Sequence, residues 1–69
     1  PMAGGPSLSG REVEVLEGMS RGKSNAQIGR ELYLSEDTVK THARRIHSKL
    51  GVERRTQAVA KAKTLGLMV

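Results

Sequence analysis

Three serines mark the starts of short helices and thereby limit what this chain can fold into. Each of them, Ser9, Ser24 and Ser35, precedes a run with apolar residues three or four positions apart. A serine in that place accepts a hydrogen bond from a backbone N–H group of the first turn. Glu12 and Gln27, three residues after the first two serines, complete capping boxes. Helix starts this closely spaced predict an all-α fold of short helices.

The ends of the helices follow from glycines and from the fading of each apolar pattern. We predict helices over about 9–20, 24–32, 36–50 and 54–65, with glycines behind the first, third and fourth, namely Gly22, Gly51 and Gly66. The N-cap of the fourth helix is unclear, because "GVERRT" offers only Glu53. Only "YLS" joins the second helix to the third, which is the connection length of a helix-turn-helix. The prediction is a four-helix domain with a central helix-turn-helix.

The apolar residues are enough for one small aliphatic core. The chain has 69 residues with no Phe, no Trp and a single Tyr. The predicted core residues, with Val52 and Leu67 flanking them, are Val15, Leu16, Met19, Ile28, Leu32, Val39, Ala43, Ile46, Leu50, Ala58, Ala62 and Leu65. A glycine inside a helix costs stability relative to alanine, so we expect that the second helix passes close to a neighbour at Gly29. A chain of this size buries only about 60% of its unfolded surface, and a sizeable pocket would remove core, so we do not expect an enzyme.

The third helix has two unlike faces. With residues about 100° apart, its apolar members form one seam, and the opposite side carries Lys40, Thr41, Arg44, Arg45 and Ser48. The one acid on this face, Asp37, is in the first turn, where the helix dipole accounts for it. A face that is merely solvated usually mixes charges of both signs. The formal charge is +5 and the pI about 10.3, which favours an anionic partner, with nucleic acid first and an anionic membrane surface second.

In a helix-turn-helix the second helix lies in the major groove of DNA. Docking of the apolar seam on the first two helices leaves Lys40, Thr41 and Arg44 outward. Lys and Arg donate to guanine O6 and N7, and Thr contacts a thymine methyl group or a phosphate. We therefore predict that these three residues contact bases.

The stretch "LSGREVEVLEGMSRGKSNAQIGRELYLSEDTVKTHARRIHSKLGVERRTQAVAKAKTLGL" resembles the LuxR-type (GerE-like) DNA-binding domain over nearly the whole chain from Leu8. The resemblance implies the C-terminal effector domain of a longer bacterial transcription regulator, over residues 8–69, behind a receiver or ligand-sensing domain. Residues 1–7, "PMAGGPS", are then a linker or a cloning remnant.

The resemblance also implies roles for individual residues. It gives the base contacts to Lys40, Thr41 and Arg44, and the phosphate contacts to Lys23, Ser24, Asn25, Thr38, Arg45 and Lys49. The fourth helix often forms a homodimer contact in this family. Here its free flank offers only Val59, Ala60 and Lys63, too few for the roughly 1,000 Å² of a stable interface. We expect a weak dimer, with two copies on an inverted repeat of double-stranded DNA and RNA polymerase as a further partner, in the cytoplasm.

Other classes of function are weighed against this one. A protein-interaction module that docks an acidic partner, such as a polymerase subunit, is the main alternative. A membrane-surface helix is disfavoured, because Trp and Phe are absent. His42 and His47 are not four residues apart and have no carboxylate or thiol beside them, so we expect no metal and no cofactor. Glu12 is predicted to cap a helix or form an ion pair, with no role as a general acid.

Overall fold

The computed structural model describes residues 7–68, which form the four helices expected from the sequence. They are α1 (Gly10–Ser20), α2 (Asn25–Leu32), α3 (Glu36–Leu50) and α4 (Arg55–Thr64). The all-α class is confirmed, and α2 and α3 form the central helix-turn-helix. Residues 1–6 of the predicted linker and Val69 lie outside the described residues. Within residues 7–68 no helix is long and apolar enough to cross a bilayer.

The three predicted serine caps are confirmed. The hydroxyl groups of Ser9, Ser24 and Ser35 accept hydrogen bonds from the third backbone N–H group of α1, α2 and α3 at 3.2, 3.2 and 3.1 Å. The fourth helix begins differently. The side-chain oxygen of Gln57 reaches back and accepts hydrogen bonds from the backbone N–H groups of Glu53 and Arg54, both at 3.2 Å. The helix start that "GVERRT" left unclear is therefore supported from inside the helix.

The core forms where α1, α2 and α4 pack around the apolar seam of α3. The buried members of that seam are Val39, Ala43, Ile46 and Leu50, as predicted. α1 adds Val15, Leu16 and Met19, α2 adds Ile28, and α4 adds only Ala58 and Ala62. Small residues let α4 lie close to its neighbours, while α3 is held from several sides with its other face toward solvent.

The prediction that Leu65 belongs to the core is wrong. Its relative exposure is 41%, and the half-buried Leu67 packs against the core instead. Gly66, at a φ of +74°, reverses the chain after α4, and the backbone N–H of Leu67 then donates to the carbonyl of Ala62 at 2.8 Å. This Schellman turn brings Leu67 back over the helix end and leaves Leu65 outside.

The turn between α2 and α3 is tight. A methyl group at Gly29 would lie 2.5 Å from the carbonyl oxygen of Leu34, closer than such atoms can approach. The prediction of close approach is confirmed, and the neighbour is the turn itself. Tyr33, 95% exposed, adopts the left-handed conformation at a φ of 59° to end α2. These contacts fix the angle at which α3 leaves the turn.

Candidate nucleic-acid interface

The outward face of α3 carries three cations that form no ion pair with another group of residues 7–68. Lys40, Arg44 and Arg45 are exposed. No hydrogen bond or ion pair within residues 7–68 engages their side chains. Ser48 is exposed beside them. Because the opposite seam is buried in the core, these donors sit on a helix whose orientation is fixed, which is what reading of a DNA groove requires.

The two threonines of α3 are less free than the arginines and lysine. Thr41 is half-buried, and its hydroxyl donates to the carbonyl of Asp37 at 3.2 Å. This bond to the preceding turn is a common habit of helical threonine. It leaves the methyl group and the acceptor lone pairs of Thr41 for a partner. The hydroxyl of Thr38 lies 2.9 Å from that of Ser35, at the capped start of the helix.

The start of α2, the first helix of the helix-turn-helix, offers backbone donors. Ser24 and Gln27 form a capping box. The side chain of Gln27 accepts a hydrogen bond from the backbone N–H of Ser24 at 2.8 Å, and the hydroxyl of Ser24 accepts one from the backbone N–H of Gln27 at 3.2 Å. The N–H groups of Asn25 and Ala26 have no acceptor among the hydrogen bonds of the described chain. Free N–H groups and the positive end of the helix dipole together favour an anion such as a phosphate.

Two lysines predicted to contact phosphates also have protein partners. The ammonium group of Lys23 lies 2.6 and 2.7 Å from the two carboxylate oxygens of Glu31. The ammonium group of Lys49 lies 2.7 Å from Glu12 and 3.2 Å from the carbonyl of Ser7. Their phosphate roles remain predictions, and both charges are partly neutralised within the domain.

Glu12 holds the start of α1 against the end of α3. Its side chain accepts a hydrogen bond from the backbone N–H of Ser9 at 2.9 Å as well as from Lys49, and the residue is only 3% exposed. Burial alone would raise the pKa of this carboxyl group, but the bonds from Lys49 and Ser9 outweigh it and leave the pKa below its ordinary value. The prediction that Glu12 caps a helix or forms an ion pair is confirmed in both respects.

Arg55 contacts the start of α2, and the sequence did not predict a role for it. It is the first residue of α4, and its guanidinium group donates to the backbone carbonyl of Lys23 at 2.8 Å and to the side-chain oxygen of Asn25 at 2.5 Å. A cation in the first turn opposes the dipole of its own helix. That conflict in "VERRT" is the sequence signal that Arg55 has a partner elsewhere.

The residues predicted for the dimer contact line one shallow groove. Val59, Ala60 and Lys63 share it with Met19 at the end of α1 and with Thr56. Val59 is half-buried against the core, whereas Ala60 and Lys63 are exposed. The three residues are therefore neighbours on one surface, and their role in dimer formation remains a prediction.

The histidines lie on either side of the seam of α3. His42 and His47 are both half-buried. Among residues 7–68 no three side chains of His, Cys, Asp or Glu are grouped so that they could hold a metal ion.

A helix-turn-helix with unpaired cations on the outward face of its second helix is typical of a DNA-binding domain. Its family follows from comparison with known proteins. Residues 6–62 match the model of the family described as "Bacterial regulatory proteins, luxR family". The chain belongs to this family, which consists of DNA-binding domains of transcription regulators and is not a family of enzymes.

Individual relatives agree with this assignment. The chain is 51% identical over 57 residues to the probable transcriptional regulatory protein NarL of Mycobacterium tuberculosis, a match that covers 83% of the chain and 26% of that protein. Its fold superposes on the response regulator ChrA of a heme-sensing two-component system with a TM-score of 0.87, at 44% identity, over 99% of this chain and 32% of that one. The transcription factor GerE gives a TM-score of 0.81 at 39% identity, over 86% and 88%. The chain spans about a quarter of the length of the curated relatives it matches.

Proposed function

We propose that this domain reads a specific sequence of double-stranded DNA with α3 in the major groove. Lys40, Thr41 and Arg44 contact base edges, with Thr41 acting through its methyl group. The contacts to backbone phosphates come from Lys23, Ser24, Asn25, Thr38, Arg45 and Lys49. The observation that carries the proposal is the outward face of α3, where three cations lie on a fixed helix without an ion-pair partner in the described chain.

The domain acts as a pair when it is bound. The free flank of α4 offers only Val59, Ala60 and Lys63, too small a surface for a stable interface, so two copies associate weakly in solution. Two-fold symmetric binding then places the copies on an inverted repeat, with one recognition helix in each half-site. Sedimentation of the free domain at micromolar concentration is expected to give a monomer or a rapid equilibrium. A tight dimer without DNA would contradict this part of the proposal.

The proposed setting is the C-terminal end of a longer bacterial regulator in the cytoplasm. The share of the relatives' length that this chain covers supports it. An upstream receiver or sensor domain would control how often two effector domains meet on DNA. RNA polymerase is the expected second partner of a regulator bound at a promoter.

Selection of bound duplexes from random DNA tests the proposal. We expect enrichment of one sequence arranged as an inverted repeat, and affinity that falls steeply with salt, because phosphate contacts release counterions. Equal binding to all duplexes would show that the domain binds the phosphate backbone electrostatically and does not read sequence. Failure to bind any duplex, together with capture of an acidic protein, would favour the protein-interaction module instead.

A further inference from the structure

Arg55 connects the fourth helix to the start of α2. One nitrogen of its guanidinium group donates to the carbonyl of Lys23, in the loop before α2, at 2.8 Å. Another donates to the side-chain oxygen of Asn25, the first residue of α2, at 2.5 Å. The guanidinium group is planar and rigid, so two bonds from one fork fix both the position of the loop and the rotation of the Asn25 side chain.

The bond to Asn25 also selects the orientation of its amide group. A guanidinium group only donates hydrogen bonds, so it can face the amide oxygen and not the amide nitrogen. The nitrogen of Asn25, with its two N–H groups, is thereby turned away from Arg55. No acceptor within residues 7–68 engages it. It lies at the same helix start as the free backbone N–H groups of Asn25 and Ala26.

The loop before α2 is held from α1 as well as from α4. The backbone N–H of Lys23 donates to the carbonyl of Gly18 at 3.1 Å, which ties the loop to the end of α1. The side chain of Lys23 pairs with Glu31, in the last turn of α2, and does not hold the loop itself. Among residues 7–68, Arg55 supplies the hydrogen bonds that join this loop to α4.

We propose that Arg55 is a positioning residue for DNA backbone binding. It holds the start of α2 in place and turns the amide nitrogen of Asn25 outward, toward a phosphate, without contacting the DNA itself. This inference rests on the proposed function, since it requires that the start of α2 contacts a phosphate. Arg55, one of the two arginines of "VERRT", would then have a role inside the domain. Its bonds connect α4 directly to the surface that contacts DNA.

The test is a double-mutant cycle. Arg55→Lys keeps the charge but replaces the rigid fork with a single flexible ammonium group, which cannot hold both acceptors in the same geometry. Asn25→Ala removes the amide. Arg54→Lys, at the exposed neighbouring arginine, is the matched control. Dissociation constants are measured by fluorescence anisotropy on the duplex selected above, well below the melting temperature of each variant. Stoichiometric titration gives the fraction of active protein, so loss of folded protein is not mistaken for weaker binding.

We expect Asn25→Ala and Arg55→Lys each to weaken binding about three- to tenfold, and Arg54→Lys to leave it unchanged. The double variant should bind less weakly than the two single effects multiplied together, because part of the effect of Arg55 acts through that amide. Asn25→Asp, which retains an oxygen for Arg55 but places a carboxylate where the amide nitrogen was, should bind at least as weakly as Asn25→Ala.

Three results would overturn the inference. If Arg55→Lys binds as tightly as wild type while Asn25→Ala binds more weakly, the guanidinium group does not position the amide. Additive effects in the double variant would show that the two residues act independently, so that Arg55 does not position the amide. Wild-type binding by Asn25→Ala would remove the phosphate contact at α2. The proposed function itself would fail only if substitutions of Lys40 and Arg44 were also without effect.

Discussion

The cations on the outward face of α3 and the cations at its margins are of the same residue types but have different surroundings. Lys40 and Arg44 are exposed with no partner in the described chain, whereas Lys23 and Lys49 lie within 2.7 Å of carboxylates. The first pair contributes little to the fold and is available to a ligand. The second pair has a structural role that any contact with DNA must share. Positive charge on a small domain therefore serves two purposes that its sequence does not separate.

The largest expected effect is on stability, and it concerns Glu12, the buried partner of Lys49. Glu12→Ala removes the acceptor for Lys49 and half of the α1 capping box, so we expect the free energy of unfolding to fall by about 2–3 kcal/mol. Glu14→Ala, whose exposed pair with Arg11 spans three residues, should change it by less than about 0.5 kcal/mol. Urea denaturation measures both. Equal small effects would mean that the buried pair contributes nothing to stability.

A matched pair on α3 makes the comparison directly. Lys49→Met leaves the carboxylate of Glu12 without its partner and should lower the free energy of unfolding by about 1 kcal/mol, allowing for the 40% exposure of the lysine side chain. Lys40→Met should leave stability within about 0.5 kcal/mol of wild type. Thermal unfolding of the two variants checks this. The distinction between free and paired cations would be lost if Lys40→Met were the less stable one.

The capped start of α3 separates the scaffold of the helix from its reading face. Ser35→Ala removes the bond to the backbone N–H of Thr38 and should destabilise the domain by on the order of 1 kcal/mol. The DNA sequence it prefers should not change, since no base-contacting side chain is altered. Thermal unfolding combined with selection from random DNA measures the two properties. An unchanged melting temperature with a shifted preferred sequence would contradict this assignment.

The smallest expected effect is on pH dependence. The pKa of Glu12 is lower in the folded domain than its ordinary value of 4.5, so its ionised form stabilises the fold. That contribution is complete above about pH 4.5 and is lost as the pH falls through the folded pKa. The advantage of wild type over Glu12→Gln should therefore shrink on acidification below pH 4.5. Melting temperatures of both proteins from pH 7 to pH 3 test this, and a constant difference would be evidence against it.

Local signals explain how much of the fold the sequence predicts. Helix caps are decided within four residues, so Ser9, Ser24 and Ser35 could be assigned from their neighbours alone. The seam of α3 follows from helical periodicity. Leu65 was wrongly predicted to lie in the core because the turn at Gly66, and not periodicity, determines which leucine returns to the core.

The site was only partly predictable for the same reason. A helical wheel shows which side of α3 points outward, so Lys40 and Arg44 were identified correctly as outward residues. It cannot show that Lys49 reaches Glu12 on α1, because these residues are 37 positions apart. The bonds from Arg55 to Lys23 and Asn25 likewise span 32 and 30 positions. Contacts over such distances depend on how the helices pack, which no local pattern records.

The central claim is that the outward face of α3 reads sequence and does not merely attract the DNA backbone. Binding isotherms of Lys40→Ala and Arg44→Ala on the selected duplex and on a scrambled duplex, at several salt concentrations, test it most directly. We expect each variant to lose about 1–3 kcal/mol of binding free energy on the selected duplex and much less on the scrambled one. Equal losses of binding free energy on both duplexes would contradict the claim. Together with a salt slope reduced by about one unit, they would show that these side chains only bind phosphates.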